Sequence, residues 1–238
     1  MKKNQGKLFL IPNVLAADTA SEVISPQVRE VVKSTSHYLV EDLRTARRYI
    51  SSLQLGITID DLHLEVLDKK TPETQIAKLM APVLQGHDMG LISDAGCPGI
   101  ADPGALAVAF AHKKGIRVVP LPGPSSILLA LTASGLNGQS FAFLGYIPID
   151  KKARIDTIRD IESESRRRKR TQIIMETPFR NNHLMEDLKN TLHPFTRLCI
   201  ASNITAPDEF ICTKPIAEWK KTTVDLHKIP TVFLIDAS

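Results

Sequence analysis

The segment LISDAGCPGIADPG, residues 91–104, decides the interpretation of the fold. A short apolar run ends at Ser93, and three glycines and two prolines then fall within residues 95–104. Glycine permits a positive φ and a close approach of the backbone, whereas proline fixes φ and removes an N–H donor. The segment therefore predicts a strand followed by a rigid loop with few side chains, against which a ligand can lie.

The same arrangement recurs along the first half of the chain. LPGPSS, residues 121–126, is a second rigid loop that follows a short strand and precedes a helix. Alternating short apolar strands and helices predict parallel βαβ units, with strands at 7–11, 37–40, 62–66, 90–93 and 118–119 and helices at 26–33, 43–53, 71–85 and 104–115. Ligands of open α/β sheets bind beyond the carboxyl ends of the strands, which is where both loops lie.

The second half of the chain has a different pattern. Its apolar segments are FAFLGYIP, QIIME, LCIAS, EFICT and TVFLI, and its predicted helices cover 152–164 and 181–192. The later strands lie close together in sequence with one evident helix among them, so a mixed sheet is expected. The fold class predicted is α/β with two domains, residues 1–120 with a parallel sheet and residues 121–238 with a mixed one.

The composition excludes several classes of protein. The 238 residues are 43% hydrophobic and 24% charged, and no apolar stretch approaches the roughly 18 residues that a membrane span requires. The apolar run after Lys2 and Lys3 is too short for a signal peptide, so a cytoplasmic protein without a membrane partner is expected. Three cysteines without C-x-x-C spacing indicate neither a disulfide framework nor a zinc site, and no metal is expected.

The loops lack the motifs that bind phosphate groups. Neither G-x-G-x-x-G nor G-x-x-x-x-G-K-[ST] occurs in the chain, which argues against both common nucleotide cradles. Asp94, at the end of a strand, can accept hydrogen bonds from hydroxyl or ammonium groups. An Asx turn or a helix cap is the alternative role for this residue.

Several motifs in order resemble the tetrapyrrole-methylase-like S-adenosylmethionine methyltransferases, and most of all the methyltransferases of small-subunit ribosomal RNA. They are YLVEDLRTARRYIS at 38–51, SDAGCPGIADPG at 93–104, GIRVVPLPGPSS at 115–126, ALTASGL at 130–136 and FLGYIP at 143–148. The likeness runs from residue 7 to about residue 236. It implies two α/β domains with S-adenosylmethionine in the cleft between them, and a homodimer.

The resemblance also implies which residues meet the cofactor. By position in the motifs these are Pro12, Val14, Asp94, Ala95, Gly96, Cys97, Ser125, Ser126, Met175 and Glu176. Such a set suits a sulfonium cofactor, which carries no phosphate and needs carbonyls, amides and a carboxylate.

An acidic pair and nearby arginines are the candidates for the acceptor side. Glu41 and Asp42 are the candidate catalytic carboxylates, which orient or deprotonate the acceptor, and Arg44, Arg47 and Arg180 are candidate substrate contacts. Asp42 serving only as a helix N-cap, and Arg180 pairing with an acidic neighbour, are the competing interpretations. Residues 166–170, RRRKR, either bind phosphates or form a solvated helix end.

The chain departs from the family pattern mainly on the acceptor side. Charged family residues are replaced by neutral ones within Ser202–Ala206 and Lys228–Pro230, Phe179 stands in place of a histidine, and the glycine of the first loop is missing from residues 12–18. The resemblance implies the ribose 2′-hydroxyl of a cytidine in small-subunit ribosomal RNA as acceptor. A small or tetrapyrrole-like acceptor, or a protein that binds the cofactor without catalysis, remain alternatives.

Overall fold

The computed structural model describes residues 5–238, so Lys2 and Lys3 of the signal-peptide argument lie outside it. The chain divides into two compact units, of which the first ends at Ser125 and the second begins at Ser126. The sequence-based division was placed after residue 120. Across the described residues, no helix combines the length and the apolar character that crossing a bilayer demands.

The first unit contains a five-stranded sheet with helices on both faces. Its strands are β1 (Lys7–Ile11), β2 (His37–Val40), β3 (His63–Val66), β4 (Met89–Ile92) and β5 (Arg117–Pro120), in the order β3-β2-β4-β1-β5. Every neighbouring pair is parallel, which confirms the expected parallel sheet. The helices are α1 (Ala20–Val23), α2 (Pro26–Ser34), α3 (Leu43–Ser52), α4 (Ile76–Leu79), α5 (Ala81–Leu84) and α6 (Gly104–Lys114).

Alternation along the strands supplies two separate cores. Ile11 and Tyr38 pack with α2 and α3 on one face of the sheet, whereas Leu8, Leu39 and Leu91 pack with α4, α5 and α6 on the other. Successive side chains of a strand point to opposite faces, so a strand covered on both sides is apolar throughout. This explains why β4, in the middle of the sheet, is buried along its whole length, whereas the edge strand β3 carries His63 and Glu65.

Residue types at the helix ends account for most of the helix boundaries, but one predicted helix is wrong. Ser25 accepts a hydrogen bond from the Val28 N–H at the start of α2, and Gly115 ends α6 with a φ of 68°. The single helix predicted over 71–85 is wrong, because this segment forms a 3₁₀ turn at Glu73–Gln75 followed by α4 and α5. Pro82 provides the reason: it has no N–H to bond to the preceding turn, so it begins a new helix.

The second unit has the mixed sheet that the sequence indicates. Its strands are β6 (Phe141–Tyr146), β7 (Thr171–Met175), β8 (Arg197–Ser202), β9 (Phe210–Pro215) and β10 (Thr231–Asp236), in the order β6-β7-β10-β8-β9. Only β6 and β7 are parallel among these neighbours. The helices are α7 (Ser126–Ser134), α8 (Lys151–Arg168), α9 (Asn181–Thr191) and α10 (Ile216–Trp219), and Trp219 is fully buried.

Strand register defines two ends of this second sheet. Met175 pairs with Val232, and Thr231 pairs with Ser202, so the end of β7, the start of β10 and the end of β8 lie together. We call this end the Met175 edge. Arg197 pairs with Asp236 at the opposite end, which we call the Arg197 edge.

Candidate functional site

Asn13 joins the loops that follow β1 and β4. Its backbone exchanges two hydrogen bonds with Gly96, at 2.9 and 3.2 Å, and its buried side-chain amide donates to the carbonyls of Ser93 and Asp94 at 3.0 and 3.1 Å. These loops meet because β1 and β4 are parallel neighbours whose carboxyl ends share one edge. Asn13 was absent from the predicted site, although a lone polar residue between a buried strand and a loop was visible in the sequence.

The loop after β5 packs against the same place. The Cys97 thiol donates to the Pro124 carbonyl at 3.4 Å, and a Cβ at Gly123 would lie 2.2 Å from the Cβ of Pro12. Gly96 is buried and has a φ of +69°, a conformation that glycine adopts without a steric penalty. Three loops are therefore fastened into one rigid surface, which we call the loop platform (residues 12–14, 93–97 and 121–125).

The predicted cofactor residues of the first unit all lie on this platform, with different exposure. Asp94 and Ala95 are exposed, Cys97 is half-buried, and Ser125 is buried. The Pro12 carbonyl accepts the Tyr49 hydroxyl at 2.7 Å, and the Val14 N–H donates to the Asn13 side chain at 2.8 Å. Those two groups are already engaged within the protein. Ser126, also predicted, begins α7 in the second unit.

Three carboxylates gather beside the platform. Glu41, just after β2, accepts a 3.4 Å hydrogen bond from the Asp94 N–H, and Asp102 accepts the N–H groups of Gly99 and Gly104 at 2.8 and 2.7 Å. Burial raises the pKa of Glu41, Asp94 and Asp102, and negative neighbours raise the pKa of Glu41 and Asp94 further. The buried Oδ2 of Asp102 has no hydrogen-bond partner within residues 5–238.

Asp42 has a structural role that Glu41 does not share. Its Oδ1 accepts the Thr45 N–H at 2.8 Å and the Thr45 hydroxyl at 2.9 Å, so it is the N-cap of α3. These bonds lower the pKa of Asp42, which makes it the weaker base of the pair. Arg44 and Arg47 are exposed on the helix that Asp42 begins.

In the second unit, the predicted residues cluster at the Met175 edge. Glu176 follows β7, has a fully buried side chain, accepts the Thr177 N–H at 2.6 Å and forms an ion pair with Arg180. Arg180 is thus paired with an acidic neighbour, which is one of the two roles that the sequence suggested for it. Among the described residues, neither the Glu176 Oε2 nor the Arg180 Nε has a hydrogen-bond partner.

Three of the departures from the family pattern, at Phe179, Ser202–Ala206 and Lys228–Pro230, meet at this same edge. The Lys228 N–H donates to the Pro178 carbonyl at 3.0 Å, and the Asn203 N–H donates to the Pro230 carbonyl at 3.0 Å. The loops after β7 and β8 and the loop before β10 are therefore neighbours. The neutral replacements change the chemistry of one contiguous place.

Other candidate features give no site. Residues 5–238 contain no group of His, Cys, Asp and Glu side chains that could hold a metal ion. The basic run is partly neutralised within α8 and just after it, because Glu162 pairs with Arg166 and Glu164 pairs with Arg167, Arg168 and Arg170. This favours the solvated helix end over a phosphate-binding patch.

Sequence comparison relates the chain to methylases. The family model described as Tetrapyrrole (Corrin/Porphyrin) Methylases matches residues 13–220. A relative from Escherichia coli O157:H7, named Ribosomal RNA small subunit methyltransferase I, is 31% identical over 98% of this chain and 78% of its own length. A relative of the same name from Vibrio cholerae is 32% identical over 82% of this chain and 65% of its own length. A third relative of that name, from Halalkalibacterium halodurans, is matched over 61% of its length.

Comparison with solved structures gives the same fold at lower identity. The methyltransferase CobJ matches with a TM-score of 0.64 and 16% identity over 97% of this chain and 94% of that one. A uroporphyrin-III C-methyltransferase from Thermus thermophilus, solved in complex with S-adenosylhomocysteine, matches with a TM-score of 0.60 and 16% identity over 97% of both chains. Two α/β units, one with a parallel and one with a mixed sheet, are thus the fold of known methylases.

Proposed function

The chain belongs to the tetrapyrrole (corrin/porphyrin) methylase family, and from this premise we propose that it methylates the ribose 2′-hydroxyl of a cytidine in small-subunit ribosomal RNA. It is a methyltransferase whose methyl donor is S-adenosylmethionine. The similarity to the ribosomal RNA small subunit methyltransferases I is the observation that carries the choice of acceptor. The chain spans 61–78% of the lengths of three such relatives.

The loop platform fits the methyl donor on chemical grounds. S-adenosylmethionine carries a methyl group on a positively charged sulfur, which makes the methyl carbon electrophilic. The platform offers backbone groups around Gly96 and, beside them, the carboxylates of Asp94, Glu41 and Asp102, one of which has a buried oxygen without a partner in the described chain. Carboxylates stabilise a cation held nearby, and the absence of a phosphate motif is no obstacle.

The residues proposed to hold the donor follow from this fit. In the first unit they are the exposed segment Asp94–Cys97, kept in place by Asn13, together with Ser125. Met175 and Glu176 are proposed as its contacts from the second unit. Pro12, Val14 and Ser126 are retained as packing neighbours of the donor. Rigid holding matters because alignment of the reacting atoms contributes on the order of 7–11 kcal/mol in well-oriented pairs.

Glu41 is the proposed general base. A ribose hydroxyl that attacks a methyl carbon loses its proton, and a carboxylate with a raised pKa is the better acceptor for that proton. Asp42 positions α3 and, with it, the exposed arginines Arg44 and Arg47, which are proposed to contact phosphates of the RNA.

The proposal also covers the cellular compartment and the oligomeric state of the enzyme. Ribosomal RNA is methylated where ribosomal subunits assemble, so we propose a cytoplasmic enzyme. A homodimer is also proposed, and light scattering of the purified protein measures this state directly.

The first test is transfer of a tritiated methyl group from S-adenosylmethionine to small ribosomal subunits and to free ribosomal RNA. Both acceptors come from a strain that lacks the corresponding methyltransferase gene. Label is expected on small-subunit RNA. Label on an added porphyrinogen instead, or donor binding without transfer to any acceptor, would contradict the proposed function.

A variant tests the role of Glu41 in the same assay. Glu41→Gln is expected to lower kcat about a hundredfold or more, because it removes the proton acceptor, while donor affinity measured by calorimetry falls by a smaller factor because Asp94 and Asp102 remain beside the donor. Glu65→Gln, at an exposed carboxylate of β3, is the matched control and is expected to keep full activity. Equal activity of both variants would remove Glu41 from the mechanism.

A further inference from the structure

Phe179 is an exposed aromatic residue at the Met175 edge. It lies in the 3₁₀ turn Pro178–Arg180 directly after β7, and 64% of its surface is accessible. A phenylalanine left in water forgoes the stabilisation that burial of such a side chain contributes. Its position is therefore not explained by packing of the second unit.

Two cationic or titratable side chains flank the ring. The Lys228 Nζ lies 5.9 Å from the ring centroid, and the His227 ring meets it edge-on, with centroids 6.1 Å apart and an interplanar angle of 78°. Of the acidic groups closest in sequence, Glu176 pairs with Arg180, and Asp225 accepts from the Asn182 amide at 2.7 Å and from the His227 N–H at 3.0 Å. The Phe179 ring and the Lys228 ammonium group beside it can therefore contact a ligand.

The loop that carries Lys228 is held firmly in place. The Asn181 amide donates to the Ile229 carbonyl at 2.6 Å, and Asn182 both donates to Asp225 at 2.7 Å and accepts from the Leu226 N–H at 2.8 Å. Lys228 itself has a φ of +62°, a conformation that costs energy in a residue other than glycine. Its N–H bond to the Pro178 carbonyl ties it to the turn that carries Phe179. The backbone segments that carry the ring and the cation are therefore held together before any ligand binds.

We infer that Phe179, Lys228 and His227 form a stacking site for one unpaired nucleotide of an RNA substrate, a site that rests on the proposed function. Any of the bases can stack on an aromatic ring. A lysine ammonium group beside the ring can form an ion pair with the phosphate of the same nucleotide. A single ring with a cation matches a nucleotide better than a protein surface, which needs a much larger contiguous area. The site thus supplies binding energy at the edge where charged family residues are replaced.

Binding of a fluorescein-labelled single-stranded RNA, followed by anisotropy, tests this site. Phe179→Ala is expected to weaken binding about fivefold to a hundredfold, and Phe179→Trp is expected to restore it. Phe195→Ala is the matched control, because Phe195 is 81% exposed beside His193 but lies next to the Arg197 edge. That variant is expected to bind RNA as the wild type does.

Two further measurements separate stacking from a general effect on the protein. Lys228→Ala is expected to reduce the slope of log K against log salt by about one, since it removes one phosphate contact. In methyl transfer to small-subunit RNA, Phe179→Ala is expected to raise KM for RNA while kcat and the calorimetric affinity for S-adenosylmethionine stay unchanged.

The outcomes distinguish failure of the site from failure of the function. If the wild type methylates small-subunit RNA and Phe179→Ala binds and methylates RNA equally well, the stacking site is wrong and the proposed function stands. If light scattering shows that Phe179→Ala changes the oligomeric state, the ring belongs to a self-interface and the inference is overturned. If the wild type neither binds nor methylates RNA, the proposed function itself has failed.

Discussion

The loop platform of the first unit and the Met175 edge of the second are held together by different chemical groups. Backbone groups, glycines and one buried asparagine hold the platform together, as the bonds of Asn13 and the contact of Gly123 with Pro12 show. Side chains make up the Met175 edge, where Glu176 pairs with Arg180 and Lys228 lies beside Phe179. A surface built from backbone tolerates few substitutions, whereas a surface built from side chains can exchange them. The replacements within Ser202–Ala206 and Lys228–Pro230 lie at the edge that is built from side chains.

The largest expected effect on stability is at the Met175 edge. Arg180→Ala leaves the buried carboxylate of Glu176 without its ion pair, and loss of one partner of a buried pair costs about 3–5 kcal/mol, with the lower end expected because the Arg180 side chain is 30% exposed. Urea denaturation measures this loss. Removing both charges, by Glu176→Gln with Arg180→Ala, is expected to recover part of the stability.

The same variant decides between the two roles of Arg180. A structural role predicts that the double variant regains RNA binding together with stability. If Arg180→Ala remains as stable as the wild type but loses RNA affinity, the arginine is a substrate contact and the ion pair is incidental.

The next effect concerns the loop platform. Gly123→Ala places a Cβ about one bond length too close to Pro12, and neither the proline ring nor the loop backbone can move away freely. We expect a loss of about 1–3 kcal/mol in unfolding free energy and at least a tenfold weaker calorimetric affinity for S-adenosylmethionine. Gly138→Ala is the matched control, because a Cβ there meets open space. Unchanged donor affinity in Gly123→Ala would separate the platform from the donor site.

The smallest effect is a pH dependence at the far end of the first sheet. His37 stacks on His63 at 4.6 Å and lies 5.0 Å from His87, and burial followed by repulsion from these two lowers its pKa below 6.5. The folded protein therefore binds fewer protons than the unfolded one, so stability falls as the pH drops below about 6.5 toward the lowered pKa. Above 6.5 this group contributes nothing to the pH dependence.

His37→Gln checks this sign. The difference in unfolding free energy between about pH 7.5 and pH 5.5 is expected to shrink in the variant, by less than about 1 kcal/mol because the histidines are near the solvent. If the variant loses more stability than the wild type between about pH 7.5 and pH 5.5, the lowered pKa of His37 is contradicted.

The sequence predicted those features that depend on local chemistry. The loops at 91–104 and 121–126 followed from glycine and proline, and the N-cap interpretation of Asp42 followed from residue type at a helix start. An ion pair within α8 could also be predicted from the sequence, since Glu162 and Arg166 are four residues apart on one helix. The short helix Ala20–Val23 was missed because it has no side-chain cap and is only one turn long.

Features that depend on distant parts of the chain were beyond the sequence. Asn13 and Ser93 are 80 residues apart, and Phe179 and Lys228 are 49 apart, so strand order had to be known before either pair could be placed together. Asp102 was not among the predicted site residues, and its unpartnered oxygen became apparent only beside Glu41. Local rules determine how each loop is built, whereas sheet topology determines which loops meet.

We propose that the loop platform holds a methyl donor for transfer to a ribose of small-subunit RNA. Mass spectrometry of nuclease digests, made after incubation of undermethylated small subunits with the protein and S-adenosylmethionine, tests it most directly. We expect one added methyl group on the 2′-oxygen of a cytidine, and we expect no such group with the Glu41→Gln protein. A methyl group on a base, or no methylated nucleotide despite donor binding, would contradict it.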